Sequence, residues 1–153
     1  MDTSSPDLTI RHAELQDALE ISRLAWQLGY ERSPEAVRVW IECLGTRTDH
    51  QAAFVACTEE EVVGWIEVSV ENRIQTPPFA LIGGLVVKDG IRGAGIGRRL
   101  CEEAEIWARQ HGLERIRVTS RSTREAAHRF YLRDGYREVK TSLVFEKKLS
   151  EKA

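Results

Sequence analysis

The sequence predicts an α/β fold: one mixed sheet with helices on both faces. Three observations carry this. Strand-like and helix-like segments alternate in the order β-α-α-β-β-β-α-β-α-β-β, which belongs to neither an all-helical nor an all-β chain. An unbroken apolar run, 79–87, leads into Arg92-Gly93-Ala94-Gly95-Ile96-Gly97-Arg98-Arg99 and then into a helical pattern, a strand, glycine loop and helix in succession. A further strand, 115–119, follows that helix, and two strands joined by a helix of this length run parallel through a right-handed crossover.

The elements follow in order. Residues 1–7 form a polar lead-in, and 8–11 alternate as a short strand. Asp17 with Glu20 reads as a capping box, after which Ala18, Ile21, Ala25 and Leu28 share a helical face that stops at Gly29. Ser33-Pro34 opens a second helix, with Val37, Trp40, Ile41 and Leu44 on one side. Two strands, 52–57 and 62–72, then flank an acidic turn as a hairpin. In the second of them Ile66, Val68 and Val70 fall on one face, and Trp65, Glu67, Ser69 and Glu71 on the other. Pro77-Pro78 ends the connection to the central strand. That strand does not alternate and is expected to be covered on both faces. The next helix buries Ile96, Leu100, Ala104 and Trp107. Ser122 with Glu125 caps a last helix through Ala126, Ala127, Phe130 and Tyr131, and strands at 136–139 and 142–148 end the chain.

Composition narrows the function. The chain of 153 residues suits one domain, 8–149, followed by a short tail, 150–153. A net charge of −2 offers no general attraction to nucleic acid or to an anionic membrane, so neither is expected as a partner. Cys43, Cys57 and Cys101 lack metal-ligand spacing, and no metal site is expected. With no signal-peptide pattern and no apolar run able to span a bilayer, a reducing cytoplasmic setting follows. Each cysteine lies within an apolar pattern and reads as a small buried hydrophobe.

The glycine loop carries the first chemical signal. Free backbone N–H groups at the positive end of a helix favour phosphate, and Arg92, Arg98 and Arg99 add three guanidiniums around it. A dinucleotide fingerprint would need glycine at Arg98, and a Walker loop would end in Gly-Lys-Ser/Thr, so neither fits. Gly83-Gly84 is the second signal, because glycines inside a strand mark a bulge or a close approach by a ligand.

Arg92-x-x-Gly95-x-Gly97 after an apolar strand, with Ala127-x-x-Phe130-Tyr131-x-x-x-Gly135-Tyr136 later, resembles the GNAT superfamily of acyl-CoA N-acyltransferases over nearly the whole chain. The resemblance implies a mostly antiparallel sheet with a splayed parallel pair at its centre, and acetyl-CoA as cofactor. It further implies that the backbone of Leu85, Val86 and Val87 pairs with pantetheine. Arg92, Gly93, Ala94, Gly95, Ile96, Gly97 and Arg98 would cradle the pyrophosphate, with Thr123, Ala127, Phe130 and Tyr131 completing the cofactor site. Tyr131 would face the thioester sulfur, where its hydroxyl can protonate the leaving thiolate.

One position departs from the pattern. Many relatives carry glutamate, as general base, where this chain has Leu81. Glu67 and Glu71 are the alternatives, either as bases or as ligands for the ammonium group. Trp26 and Tyr30 are candidate walls of the acceptor pocket, with Glu67 beside them. The expected activity is N-acetylation of a small primary amine, such as an aminoglycoside, polyamine, amino acid or aminophosphonate. Protein acetylation and an acyl-CoA sensor without turnover are the alternatives. The alternating final strand offers an edge for a second subunit, hence a homodimer.

Overall fold

The structure, a computed structural model, describes residues 7–91, 94–120 and 124–150. They group into two compact units divided after Thr119, each described by itself.

The first unit is built on a five-stranded sheet in sequence order. Strands β1 (Thr9–His12), β2 (Gln51–Cys57), β3 (Val62–Arg73) and β4 (Thr76–Val87) are antiparallel neighbours, and β5 (Ile116–Val118) runs parallel to β4. The mixed sheet and its parallel pair are as expected from the segment order. Helices α1 (Ala18–Gln27) and α2 (Pro34–Leu44) cover one face, where Ile21, Leu24, Val37 and Ile41 pack with Val55 and Val86. Helix α3 (Ile96–Gln110) buries Ile96, Leu100, Ala104 and Trp107. Its Ile96 and Leu100 come close to Gly64 of β3, on the face that also carries Ile66 and Val68. The period of two read from β3 is thus the division between the layers: Ile66 and Val68 are buried, while Trp65, Glu67 and Ser69 are half-buried on the α1–α2 side.

Several local expectations change. The capping box lies three residues earlier than expected: Glu14 N–H donates to Asp17 Oδ2 at 2.7 Å, at the head of a 3-10 turn, Leu15–Asp17. Asp17 is buried and accepts from the two terminal guanidinium nitrogens of Arg11 at 2.8 and 2.9 Å, which joins β1 to the start of α1 and holds the Arg11 pKa above its ordinary value. Glu20 instead accepts from Val62 N–H at 3.0 Å. Pro77 and Pro78 belong to β4, at a register irregularity before β5 joins at Ala80, where a missing N–H costs no ladder bond. Cys43 is exposed, Cys57 half-buried and only Cys101 buried. The helical pattern around Cys43 is amphipathic, and Cys43 falls on its outer side.

In the second unit, α4 spans Glu125–Arg133, its cap residue Ser122 lying outside the described residues. Gly135 at φ +95° ends it, with Tyr136 N–H donating to Tyr131 C=O at 2.9 Å. The strands expected at 136–139 and 142–148 are absent: no residue from Tyr136 to Ser150 is in a strand. A strand needs a ladder partner, and alternation names a face without naming that partner. The apolar members of the alternation, Leu143 and Phe145, are 80% and 87% exposed.

Candidate active site

Gly83 and Gly84 interrupt the β3–β4 ladder. Glu67 opposes Gly84 while Val68 opposes Ile82, so Gly83 is an extra residue in β4, a bulge. The space above the bulge is filled from β3. A Cβ at Gly84 would lie 2.8 Å from the Trp65 ring, and one at Gly83 would lie 3.2 Å from the Glu67 carboxylate. A side chain at 84 would collide with the ring, and one at 83 would press on the carboxylate by a few tenths of an ångström. Among the described residues the Glu67 carboxylate has no hydrogen-bonding or ionic partner, and burial pushes its pKa above the ordinary glutamate value.

Leu81 pairs with Ser69 on β3 and so shares the face of Glu67. Its apolar side chain can neither bind nor accept a proton. The Glu67 carboxylate on this face lies one strand over from it and roughly two residues along, or ~7 Å in strand rise. Glu71, of the same parity, differs in its surroundings. It accepts from Ser69 Oγ at 3.2 Å and pairs with Arg73 at 3.3 Å, so its charge is already compensated. Beyond it, the Arg73 and Arg117 guanidiniums lie 5.1 and 4.3 Å from the centre of the buried Phe79 ring.

The bulge also ends the parallel pairing. Strand β5 pairs with β4 only at Ala80, Leu81 and Ile82, so from Gly83 to Val87 the outer edge of β4 has no strand partner among the described residues. Leu85, Val86 and Val87 pair on their other side with Ile66, Trp65 and Gly64. Extended backbone with one open edge suits an amide-bearing arm such as pantetheine.

After β4 the chain turns through Gly90 toward α3. Arg92 and Gly93 lie outside the described residues, as does Thr123. Gly95 caps α3 at φ +81°, a left-handed conformation that a side chain would strain, with open space where its Cβ would be. Among the described residues no side chain caps this helix start, and the first-turn N–H groups of a helix have no partner within it. Two of the three expected arginines, Arg98 and Arg99, lie within the described residues. Arg99 donates to Leu8 C=O at 3.2 Å, and Arg98 lies 3.8 Å from Glu102.

Trp26 and Tyr30 lie outside the core, 55% and 50% exposed, at the end of α1 and in the turn that follows. Trp26 Nε1–H donates to Arg32 C=O at 3.3 Å. In the second unit, Ala127, Phe130 and Tyr131 are half-buried along α4, and the Tyr131 ring lies edge-on to Phe130 and Tyr136 at 5.2 and 5.8 Å. Among the described residues no cluster of His, Cys, Asp and Glu has the makings of a metal site.

The sequence pattern of the acetyltransferase (GNAT) family matches residues 15–136, from before α1 to beyond α4. The chain belongs to this family. As a GNAT protein it is an acyltransferase with acetyl-CoA as cosubstrate, and the open edge of β4 and the uncapped start of α3 fit that molecule. An aminoalkylphosphonate N-acetyltransferase of Salmonella typhimurium is 38% identical over 85 residues, and that match spans about half, 55%, of either chain. An aminoglycoside N(6')-acetyltransferase type 1 of Acinetobacter baumannii is 23% identical over 147 residues, 93% of this chain and 97% of that one. Among solved structures, the aminoglycoside N-acetyltransferase AAC(6')-Iy in complex with CoA superposes with a TM-score of 0.83 at 16% identity, covering 97% of this chain and 99% of its own. That likeness is one of fold. No helix among the described residues is long and apolar enough to cross a membrane.

Proposed function

We propose that this GNAT protein transfers the acetyl group of acetyl-CoA to a primary amine of a small molecule, with Glu67 as the group that receives the amine. The observation that carries the reading is the Glu67 carboxylate: partnerless among the described residues, partly desolvated, and set over the bulge where β4 loses β5. A primary ammonium must lose its proton before it can attack, and a carboxylate with a raised pKa is a better acceptor for that proton than an ordinary one. Glu71, already paired with Arg73, is left to help shape the electrostatics of the same face.

Acetyl-CoA supplies the acyl group as a thioester. The chain's own contributions are the open edge of Leu85 to Val87 for the pantetheine arm and the backbone from Ala94 to Arg98 for the pyrophosphate. Tyr131 is assigned the proton that the departing thiolate needs, on the strength of its motif, and Ala127 and Phe130 the flank of the cofactor. Trp26 and Tyr30, both exposed, are assigned to the acceptor wall. The amine class is a small one: relatives of this chain include named acetyltransferases of aminoalkylphosphonates and of aminoglycosides. Cys43, Cys57 and Cys101 form no disulfide, which suits a reducing cytoplasm.

Thiol release from acetyl-CoA, followed across aminoalkylphosphonates, aminoglycosides, polyamines and amino acids, tests the reading. Turnover of at least one amine class is expected, and Glu67→Gln should suppress it. Tight acetyl-CoA binding with no turnover on any amine would make the protein a sensor instead.

A further inference from the structure

We infer that Gln27 is a positioning residue for the cofactor site: its amide fixes the exit of β4 and thereby sets the affinity for acetyl-CoA. The inference rests on the placement of the cofactor along β4 and the start of α3.

Gln27 is the last residue of α1, some sixty positions from β4 in sequence. Its Nε2–H donates to Val87 C=O at 2.8 Å, and its Oε1 accepts from Asp89 N–H at 2.7 Å. A carboxamide offers one donor face and one acceptor face, and here each meets its complement across a single residue, Lys88. The side chain therefore pairs with β4 much as a neighbouring strand would, at the end of the edge where β5 is missing.

Lys88 is held from the opposite side. Its N–H donates to Val63 C=O at 2.8 Å and its ammonium pairs with Glu61 at 2.7 Å. The segment 87–89 is thus gripped by β3 on one flank and α1 on the other. Immediately beyond it Gly90 turns at φ +89°, and the chain proceeds to the cap of α3 at Gly95. Where β4 releases the chain determines where the first-turn N–H groups of α3 lie relative to the open edge of Leu85. Those two features must match one ligand, because its arm and its pyrophosphate are covalently joined.

Interactions that order a binding segment before the ligand arrives act equally on ground and transition states, so their loss raises KM without lowering kcat. Gln27→Met keeps the stem and removes both hydrogen bonds. Gln27→Glu keeps the acceptor for Asp89 N–H but sets an oxygen against Val87 C=O. Losing two partly exposed hydrogen bonds should weaken CoA binding by about tenfold, read by titration calorimetry on the full chain, with KM for acetyl-CoA rising in parallel. The turnover number and the KM for the amine should stay within about twofold, which a general loosening of the fold would not produce.

Gly95→Val, run beside them, separates the two levels of the reading. Unchanged CoA affinity in both Gln27 variants, while Gly95→Val loses binding, overturns the role of Gln27 alone. Unchanged affinity in all three overturns the cofactor placement and the role of Gln27 with it. Weakened binding in both Gln27 variants, with turnover preserved, supports the inference.

Discussion

At the scale of single residues, Glu67 sets two expectations with one cause. Burial raises its pKa, so the folded protein holds this proton at pH values where the unfolded chain has released it. Its contribution to stability is complete below the unfolded pKa and is lost as pH rises through the folded one. Glu67→Gln, neutral at every pH, should therefore melt above the wild type at pH 8, with the difference closing toward pH 4, as scanning calorimetry would show. The same variant should lose about 100-fold in kcat/KM, and the wild-type profile should fall on its acid side above the ordinary carboxylate range. Equal melting temperatures across the pH range would remove the burial argument. Tyr131→Phe addresses the other proton. If the phenol serves the leaving thiolate, turnover drops while CoA affinity, measured by titration, holds.

At this scale the sequence was only partly legible. Glu67 and Glu71 share a parity and are both candidates; what separates them is Arg73, two residues beyond Glu71 on β3, which pairs with Glu71 and not with Glu67. Gln27 gave no signal in the sequence, because its two partners lie some sixty residues away in the chain. Local pattern carries no information about a contact of that range.

Among elements, the bulge in β4 is the feature most exposed to substitution. Alanine at Gly84 would place its Cβ 2.8 Å from the Trp65 ring, and Trp65 is packed against the cluster shared by α1 and α2. The ring cannot swing freely, so Gly84→Ala should cost about 1–3 kcal/mol of stability, measurable by urea unfolding. A neutral result would mean that Trp65 has room to move. The strand, loop and helix from Phe79 to Gln110 were legible because each signal in them is local: an apolar run, glycines at the turn, and a helical period. The final segment was not. Val139, Leu143 and Phe145 alternate as a strand would, yet alternation fixes only which side chains lie together, and a ladder is made by a partner.

For the molecule as a whole, acetyl-CoA is expected to bind the folded chain and not the unfolded one. Stability then rises with ligand, by about 2.7 kcal/mol at a hundred times Kd. For a chain of this size that is roughly 5–10 °C in Tm. A thermal-shift titration should show the rise in the wild type and not in Gly95→Val, whose left-handed cap cannot accept a branched side chain without strain. A rise of equal size in both would place the ligand elsewhere. Fold class was open to sequence reasoning at this scale because the order of segments leaves few ways to build one sheet.

The contact between Gly83 and Glu67 makes the two positions rivals for one volume. A side chain at 83 and the carboxylate at 67 lie too close to coexist without one giving way. A carboxylate can thus approach this spot from β3 or from β4, and a side chain at 83 makes the Glu67 carboxylate give by a few tenths of an ångström. Gly83→Glu alone should crowd the site, whereas Gly83→Glu with Glu67→Gly would hand the group from one strand to its neighbour. The carboxylate proposed as proton acceptor is in that sense portable, while the strand edge and helix start assigned to the cofactor stay where they are.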